Sequence, residues 1–442
     1  MMAPGFAMSS PVSISPSAPL TLSDWLAWIE RQHPASIAMG LDRVIAVRDA
    51  LGLKPAFPLI TVGGTNGKGS TCRILDAILQ QAGYRVGTYT SPHLLDYNER
   101  VRIGGRDASD ADLVRAFAAV EAKRAALNLP LTYFEFGTLA ALWLFAESRV
   151  DAAVLEIGLG GRLDAVNAFD ADVAVLVSVG IDHQEYLGDT REKIGWEKAH
   201  IFRPGRPAVC ADADPPRTVI EHAATIGAPL LLIGRDFSCS MEPQQWRYQG
   251  PRGTRHGLPP PALRGAAQLV NASAAITALE LMHERLPVSA GAIRAGLVHV
   301  ENPGRFQVLP GRPAIVLDVA HNPHAAEALA LNLVQMTGYP RTLAVFSMLS
   351  DKDVAGVARC LRGHVDHWFV APLPGPRGSD VAPLLQALRD AGVTAPVEAC
   401  ASIENACQQA TRLAGGGDRI LAFGSFLTVA AAMTFLRHRG ND

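Results

Sequence analysis

Short apolar, β-branched runs alternate with stretches of apolar residues at helical spacing through most of the chain, and many of the runs end on a glycine or a polar residue. Leu59, Ile60, Thr61 and Val62 read as a buried strand. From Ser70 the period changes, and Ile74, Leu75, Ile78 and Leu79 line one face of a helix that Gly83 ends. Residues 85–90, 152–155 and 173–179 are further buried strands. Ahead of them, Thr21, Leu22, Ser23 and Asp24 open a helix carrying Trp25, Leu26, Trp28 and Ile29; Leu41, Val44, Ile45 and Leu51 mark a second. Leu139, Leu142, Trp143 and Phe145 belong to a buried helix, as does the run GAAQLVNASAAITALELM. Residues 201–263 read as β-rich around IFRPGRPAVCA, PLLLIG and SMEPQQWRYQG, with a Pro/Gly-rich loop at 250–262. After 313, strands at 314–317, 341–348, 365–372, 396–399 and 418–424 alternate with helices at about 324–337, 351–363, 379–391, 401–414 and 427–438.

The pattern predicts two α/β units. Pro303, Gly304, Pro310, Gly311 and Pro313 punctuate the chain between them, so a linker is expected over 304–313, with domains over 21–303 and 314–442. Residues 1–20 are rich in Ser and Pro without Lys or Arg, which suits a disordered leader and not a secretory signal. Residues 420–436 carry no charge, yet this run falls short of the ~20 apolar residues of a spanning helix. It reads as a buried strand leading into a helix.

With 442 residues, 48% hydrophobic and 19% charged, the chain has ample core. A net charge of -2 offers no field for nucleic acid or an anionic membrane. The six cysteines are scattered without a CxxC pair, which suits reduced thiols in the cytoplasm. No GxGxxG follows the first strand of the second unit, so dinucleotide binding is not indicated.

The candidate chemistry sits at strand ends. Between the first strand and its helix runs a glycine-rich turn: Gly63, Gly64, Thr65, Asn66, Gly67, Lys68, Gly69, then Ser70. Such a loop brings backbone N–H groups and a helix N-terminus to phosphate, and Lys68 adds a mobile cation. The spacing departs from G-x-x-x-x-G-K-[ST], since Val62 stands at the first glycine and Gly69 follows the lysine. Ser91 follows the strand at 85–90, Glu156 the strand at 152–155, and Asp182 and His183 the strand at 173–179. In open α/β sheets ligands bind at these carboxyl ends. Glu156, before the loop with Gly158, Gly160 and Gly161, suits Mg2+, a hard cation that prefers oxygen. Taken singly, Ser-Pro is a common turn, a lone histidine is usually structural, and Asn322 before Pro323 is an ordinary helix entry.

Together the stretches GTNGKGS, TSPH, TYFE, LEIGLGGRLDAVN, DH, EKA, GRF, DVAHNPHAA and GSF resemble, in order and spacing, the folate branch of the Mur ligase superfamily, across nearly the whole chain. The resemblance implies a P-loop ATPase domain with a mostly parallel sheet plus a smaller C-terminal Rossmann-like α/β domain. It implies an ATP-dependent ligase that joins L-glutamate to dihydropteroate, or to the γ-carboxylate of a reduced folate, through an acyl phosphate. It assigns Gly64, Thr65, Asn66, Gly67, Lys68, Gly69 and Ser70 to ATP, with Asn271 (beside Gln268) near the adenine. Arg305 from the linker, with Asp318 and His321 from the second domain, completes that site. Ser91 and Glu156 would hold one Mg2+, and His183 with a carbamylated Lys198 a second; here the motif reads EKAHIF, with His200 where glycine is usual. Catalytic roles fall to Lys68, His183 and Lys198. The pterin acid is expected against Ile37, Ala38, Met39 and Gly40, against Thr132, Tyr133, Phe134 and Glu135, and against Leu163, Asp164 and Ala165; Ala38 stands where relatives often carry an acid. A monomer is expected. Folylpolyglutamate synthesis alone, another amide ligase on the same scaffold, such as one acting on peptidoglycan precursors, and a nucleotide-dependent switch are the alternatives.

Overall fold

The computed structural model describes residues 21–33, 35 and 37–439; the leader expected over 1–20 lies outside the described residues. The N-terminal unit is built on an eight-stranded sheet: β1 (Leu59–Gly63), β2 (Val86–Tyr89), β3 (Val101–Ile103), β4 (Arg106–Asp107), β5 (Ala152–Glu156), β6 (Val173–Leu176), β7 (Ala208–Cys210) and β8 (Leu230–Leu232). Their order across the sheet is β4-β3-β2-β5-β1-β6-β7-β8. All neighbours are parallel except at β3 and β4, which add an antiparallel ribbon at one edge.

Strand periodicity explains why both faces are covered. Ile60 and Val62 of β1 and Ala152 and Val154 of β5 point into one core with the Lys68–Gln81 and Ala267–Leu281 helices. Leu59, Ala153 and Leu155 point into the other, against the Tyr133–Glu147 helix. A three-stranded antiparallel sheet of β9 (Ser238–Glu242), β10 (Gln245–Gly250) and β11 (Gly253–Leu258) packs beside them through the buried Trp246 and Tyr248.

The C-terminal sheet has β12 (Gln307–Leu309), β13 (Ala314–Asp318), β14 (Thr342–Phe346), β15 (His367–Val370), β16 (Val397–Ala399) and β17 (Arg419–Phe423) in the order β12-β13-β17-β14-β15-β16. Only β12 is antiparallel. Alternate residues again serve two cores, Val316 and Phe346 in one and Leu317 and Val345 in the other.

Three readings change here. Residues 201–263 are mixed: β7 and β8 continue the central sheet and enclose the helix Arg217–Ile226, whose apolar face Val219 and Ala223 bury. Helices Asp110–Leu127 and Ala290–His299, each capped by a serine hydroxyl (Ser109, Ser289), fall in stretches where the apolar pattern alone showed none. The expected linker at 304–313 carries β12, which pairs with β13 and makes the turn-rich segment an edge strand of the second sheet.

Candidate active site

The carboxyl ends of β1, β2, β5 and β6 open into a cavity of about 710 Å³, closed from the other side by the loops after β13, β14, β15 and β17. The glycine loop after β1 is held by the segment after β6. Thr65 donates its backbone N–H to Ser178 O at 2.8 Å, Asn66 N–H goes to Ser178 Oγ at 3.0 Å, and Thr65 Oγ1 exchanges bonds with Gly180. Two glycines are sterically required. At Gly64 (φ +148°) a Cβ would lie 3.1 Å from Ser178 N; at Gly67 (φ +84°) it would lie 2.7 Å from Asn271 Oδ1 and 2.8 Å from Val177 Cγ1. Lys68 opens the helix, and its Nζ donates to Gly64 O at 3.0 Å and Thr65 O at 3.2 Å, so the ammonium lies over the loop. Asn271 Nδ2 donates to Gln268 Oε1 at 2.9 Å on the same cavity wall.

Every residue expected at ATP or metal lines this one cavity: Gly64 through Ser70, Ser91, Glu156, His183, Lys198, Asn271, Arg305, Asp318 and His321. Glu156 is buried at the tip of β5, and its Oε2 accepts the Ser91 N–H at 2.9 Å, which ties two of the proposed metal donors together. Burial raises the Glu156 pKa, with Lys68 pulling against it. Lys198 reaches from the Arg191–Ala199 helix to donate to Gly64 O at 3.2 Å; burial and the nearby Lys68 charge lower its pKa to about 7. Burial likewise lowers His183 to about 4, leaving a neutral imidazole at physiological pH, the form that binds metal. Among the described residues no three His, Cys, Asp or Glu side chains gather into a metal cluster; the candidate donors are of mixed type.

Arg305 comes from the second unit. It is half-buried, desolvation lowers its pKa, its guanidinium lies 4.6 Å from the centre of the Phe426 ring, and its buried Nη1 has no hydrogen-bond partner among the described residues. A buried, unsatisfied guanidinium nitrogen beside a glycine loop fits an anionic ligand. Asp318 lines the cavity with each carboxylate oxygen already accepting one backbone N–H. It accepts Phe306 N–H at 2.8 Å and Ala320 N–H at 2.7 Å, and burial raises its pKa to about 6. It acts by fixing the turn that carries Arg305.

The residues expected at the pterin acid lie behind the wall of this cavity. Among the described residues, none of Ile37, Ala38, Met39, Gly40, Thr132, Tyr133, Phe134, Glu135, Leu163, Asp164 or Ala165 lines the cavity. Phe134, Met39 and Asp164 lie behind its 158–160 loop. Thr132 and Glu135 are the capping box of the Tyr133–Glu147 helix, and Arg43 bridges Glu135 (2.7 Å) to Ala38 O (2.9 Å). Phe134 lies against Gly158, whose Cβ would be 2.6 Å from the ring, and Met39 approaches Gly160. Asp164 accepts the Leu159 and Val166 N–H groups, and burial raises its pKa to about 7. Together they shape the 158–160 loop that does line the cavity. The sequence showed an aromatic-acid cluster but not that the acid was already used as a cap.

The structure adds a junction between the units. Asp182 takes Lys352 Nζ at 2.6 Å, Asn322 Nδ2 at 3.1 Å and its neighbour's His183 N–H at 2.9 Å, with His321 Nε2 at 3.7 Å. Burial pushes its pKa up, and His183, Lys352 and His321 outweigh that and hold it well below the carboxylate range. Burial also lowers His321 to about 4, so at neutral pH the Lys352 ammonium is the charged partner. Asn66 and Asn322 exchange side-chain bonds at 3.2 and 3.1 Å, joining the glycine loop to the second unit.

Comparison with known proteins matches this layout. The Mur ligase middle domain family matches residues 62–279, and the Mur ligase glutamate ligase domain family matches residues 304–426. Dihydrofolate synthase/folylpolyglutamate synthase of Escherichia coli (strain K12) is 43% identical over 426 residues, covering 96% of this chain and 98% of that protein. The chain belongs to the dihydrofolate synthase/folylpolyglutamate synthase family of Mur ligases. Within that family, the solved structure of E. coli FolC in complex with DHPP and ADP superposes with a TM-score of 0.91 at 43% identity, over 96% of this chain and 100% of that one. Another bifunctional folylpolyglutamate synthase/dihydrofolate synthase, solved with Mn, AMPPNP and L-glutamate bound, gives 0.88 at 45% identity, over 96% and 100%.

Proposed function

We propose that the protein is an ATP-dependent ligase that joins L-glutamate to dihydropteroate, giving dihydrofolate, and to the γ-carboxylate of reduced folates. The observation that carries this reading is the convergence of Lys68, Ser91, Glu156, His183 and Lys198 with Arg305 from the second unit in one cavity. The ligands held by the solved relatives support it.

A free carboxylate in water resists amide formation because its leaving group is poor. A carboxylate oxygen attacks the ATP γ-phosphorus and the bond to the β-phosphate bridge breaks, giving ADP and an acyl phosphate. The glutamate amine attacks the acyl carbon, the C–O bond breaks, and phosphate leaves. The charge demand falls on fixed groups. The loop N–H groups, the helix start and Lys68 receive the β/γ-phosphates, and Arg305 Nη1 adds a buried cation. Ser91 and Glu156 would hold one Mg2+, and His183 with carbamylated Lys198 a second. Bound Mg2+ offsets the phosphate charge and polarises the transferred phosphoryl group. The Lys198 pKa near 7 leaves a neutral amine available to CO2, which supports the carbamate. Asn271 and Gln268 border the adenine side, and the 158–160 loop, with its backing residues, the pterin side. The protein acts as a cytoplasmic monomer; its six free cysteines suit a reducing compartment.

Phosphate release from ATP and glutamate, with dihydropteroate, tetrahydrofolate or a muramoyl peptide supplied separately, tests the reading. Release with both pterin acids is expected. Release only with the muramoyl peptide, or with none, contradicts it.

A further inference from the structure

Arg100 is a cation in the cavity wall that the fold does not neutralise. It ends the short turn Tyr97–Arg100 after β2. Its guanidinium lies over the rings of Tyr97 at 5.3 Å and Tyr133 at 5.4 Å, and its Nε donates to His93 Nδ1 at 2.8 Å. Among the described residues no carboxylate pairs with it. The other cations differ. Among the cavity-lining cations, Lys352 and Arg377 are paired with Asp182 and Asp351, Lys68, Lys198 and Arg305 belong to the glycine-loop end, and Arg264 is exposed to solvent without a ring beneath it among the described residues. Because His93 Nδ1 accepts from Arg100, its proton sits on Nε2, and both residues line the cavity. The guanidinium fork and the imidazole N–H form a donor set suited to a carboxylate. The two rings and the His93 bond restrain the side chain, so little of its freedom is lost on binding.

The two acceptors differ in one relevant group. Dihydropteroate ends in the aryl carboxylate that is activated. A reduced folate ends in glutamate, whose γ-carboxylate is activated and whose α-carboxylate is left over. The α-carboxylate lies within roughly 5 Å of the reacting carbon by bond lengths, and His93 lies two residues from Ser91, at most about 7 Å between Cα atoms. We propose that Arg100, with His93 Nε2, receives the α-carboxylate of the folyl acceptor and so sets the balance between the two acceptors. This deepens the ligase reading and rests on it.

The test is steady-state kinetics of the full chain with ATP, Mg2+ and glutamate, with dihydropteroate or tetrahydrofolate varied. Arg100→Met is expected to raise KM for tetrahydrofolate at least about tenfold, which corresponds to about 1.4 kcal/mol. KM for dihydropteroate should change less than about threefold, and kcat less still, with Arg100→Lys recovering part of the loss because it keeps the charge without the fork. A merely structural role would move both acceptors together, so equal KM changes, or none, overturn the proposal. If Arg100→Met does not fold, Arg100→Lys and His93→Gln carry the same comparison, and equal changes for the two acceptors again overturn it. Wild-type protein that uses neither acceptor would sink the ligase reading itself, a result separable from loss of discrimination in the variants.

Discussion

Asp182→Asn removes the charge at the junction between the two units. Lys352 Nζ lies 2.6 Å from Asp182 Oδ1, and the two side chains are only 7% and 11% exposed. Removing one partner of a buried pair costs about 3–5 kcal/mol, because the other charge is left desolvated. Asparagine keeps an oxygen that can accept from Lys352, but its NH2 faces the Asn322 NH2 if the oxygen does so. The expected loss is therefore about 2–3 kcal/mol, concentrated on docking of the second unit. Calorimetry should show one transition in the wild type split or shifted down by several degrees, and small-angle scattering should show a larger radius of gyration. Adding Lys352→Met removes the stranded ammonium and should restore at least half of the loss. An unchanged transition and unchanged scattering in Asp182→Asn would refute the reasoning, as would a double variant worse than the sum of the singles.

Glu156→Gln should lower phosphate release at least about a hundredfold by removing a metal donor and leave the thermal midpoint equal or higher, since burial already disfavours the ionised form. Near-normal turnover would remove Glu156 from the metal site. Burial and Lys68 lower the Lys198 pKa to about 7, and only the neutral amine attacks CO2. As pH falls from 8 to 6 the amine protonates and the carbamate is lost, so bicarbonate should restore CO2-depleted enzyme better at pH 8 than at pH 6. Labelling with 13C-bicarbonate and NMR reads this directly, and a pH-independent response would contradict it. Gly296→Ala puts a Cβ 2.6 Å from Ile78 Cα and 2.7 Å from Ile78 N, where two helices meet. It should cost about 1–3 kcal/mol by overpacking, read as a lower urea midpoint, and an unchanged midpoint would show that the helices separate freely.

Much of the site was legible because one rule selected it. Ser91, Glu156 and His183 were singled out as polar residues at the ends of buried strands, and parallel strands bring such ends to one edge. The same rule reaches Lys352, which follows β14, but its partner Asp182 lies 170 residues away, so the pairing was visible only in the fold. Arg100 gave a weaker signal, since its role depends on two tyrosines from separate elements and on the lack of an acidic partner. The partners of the residues expected at the pterin acid were hidden for a related reason. Glu135, Asp164 and Thr132 are the right types to touch a ligand, but backbone N–H groups and Arg43 had already claimed them. In the second unit the expected strands and helices held to within three residues, because the central strands β17 and β14 are buried on both faces and turn residues bound the elements, whereas the part-buried edge strand β12 was not foreseen. The helix Arg217–Ile226 was hidden by neighbouring strand-like runs.

The central claim is that the cavity activates a pterin carboxylate by phosphorylation before glutamate attacks. Dihydropteroate labelled with 18O in its carboxylate, turned over with ATP and glutamate, tests it by mass spectrometry of the released phosphate. One labelled oxygen in each phosphate is predicted, because the oxygen that attacks phosphorus leaves with it. Unlabelled phosphate alongside dihydrofolate formation would contradict the account.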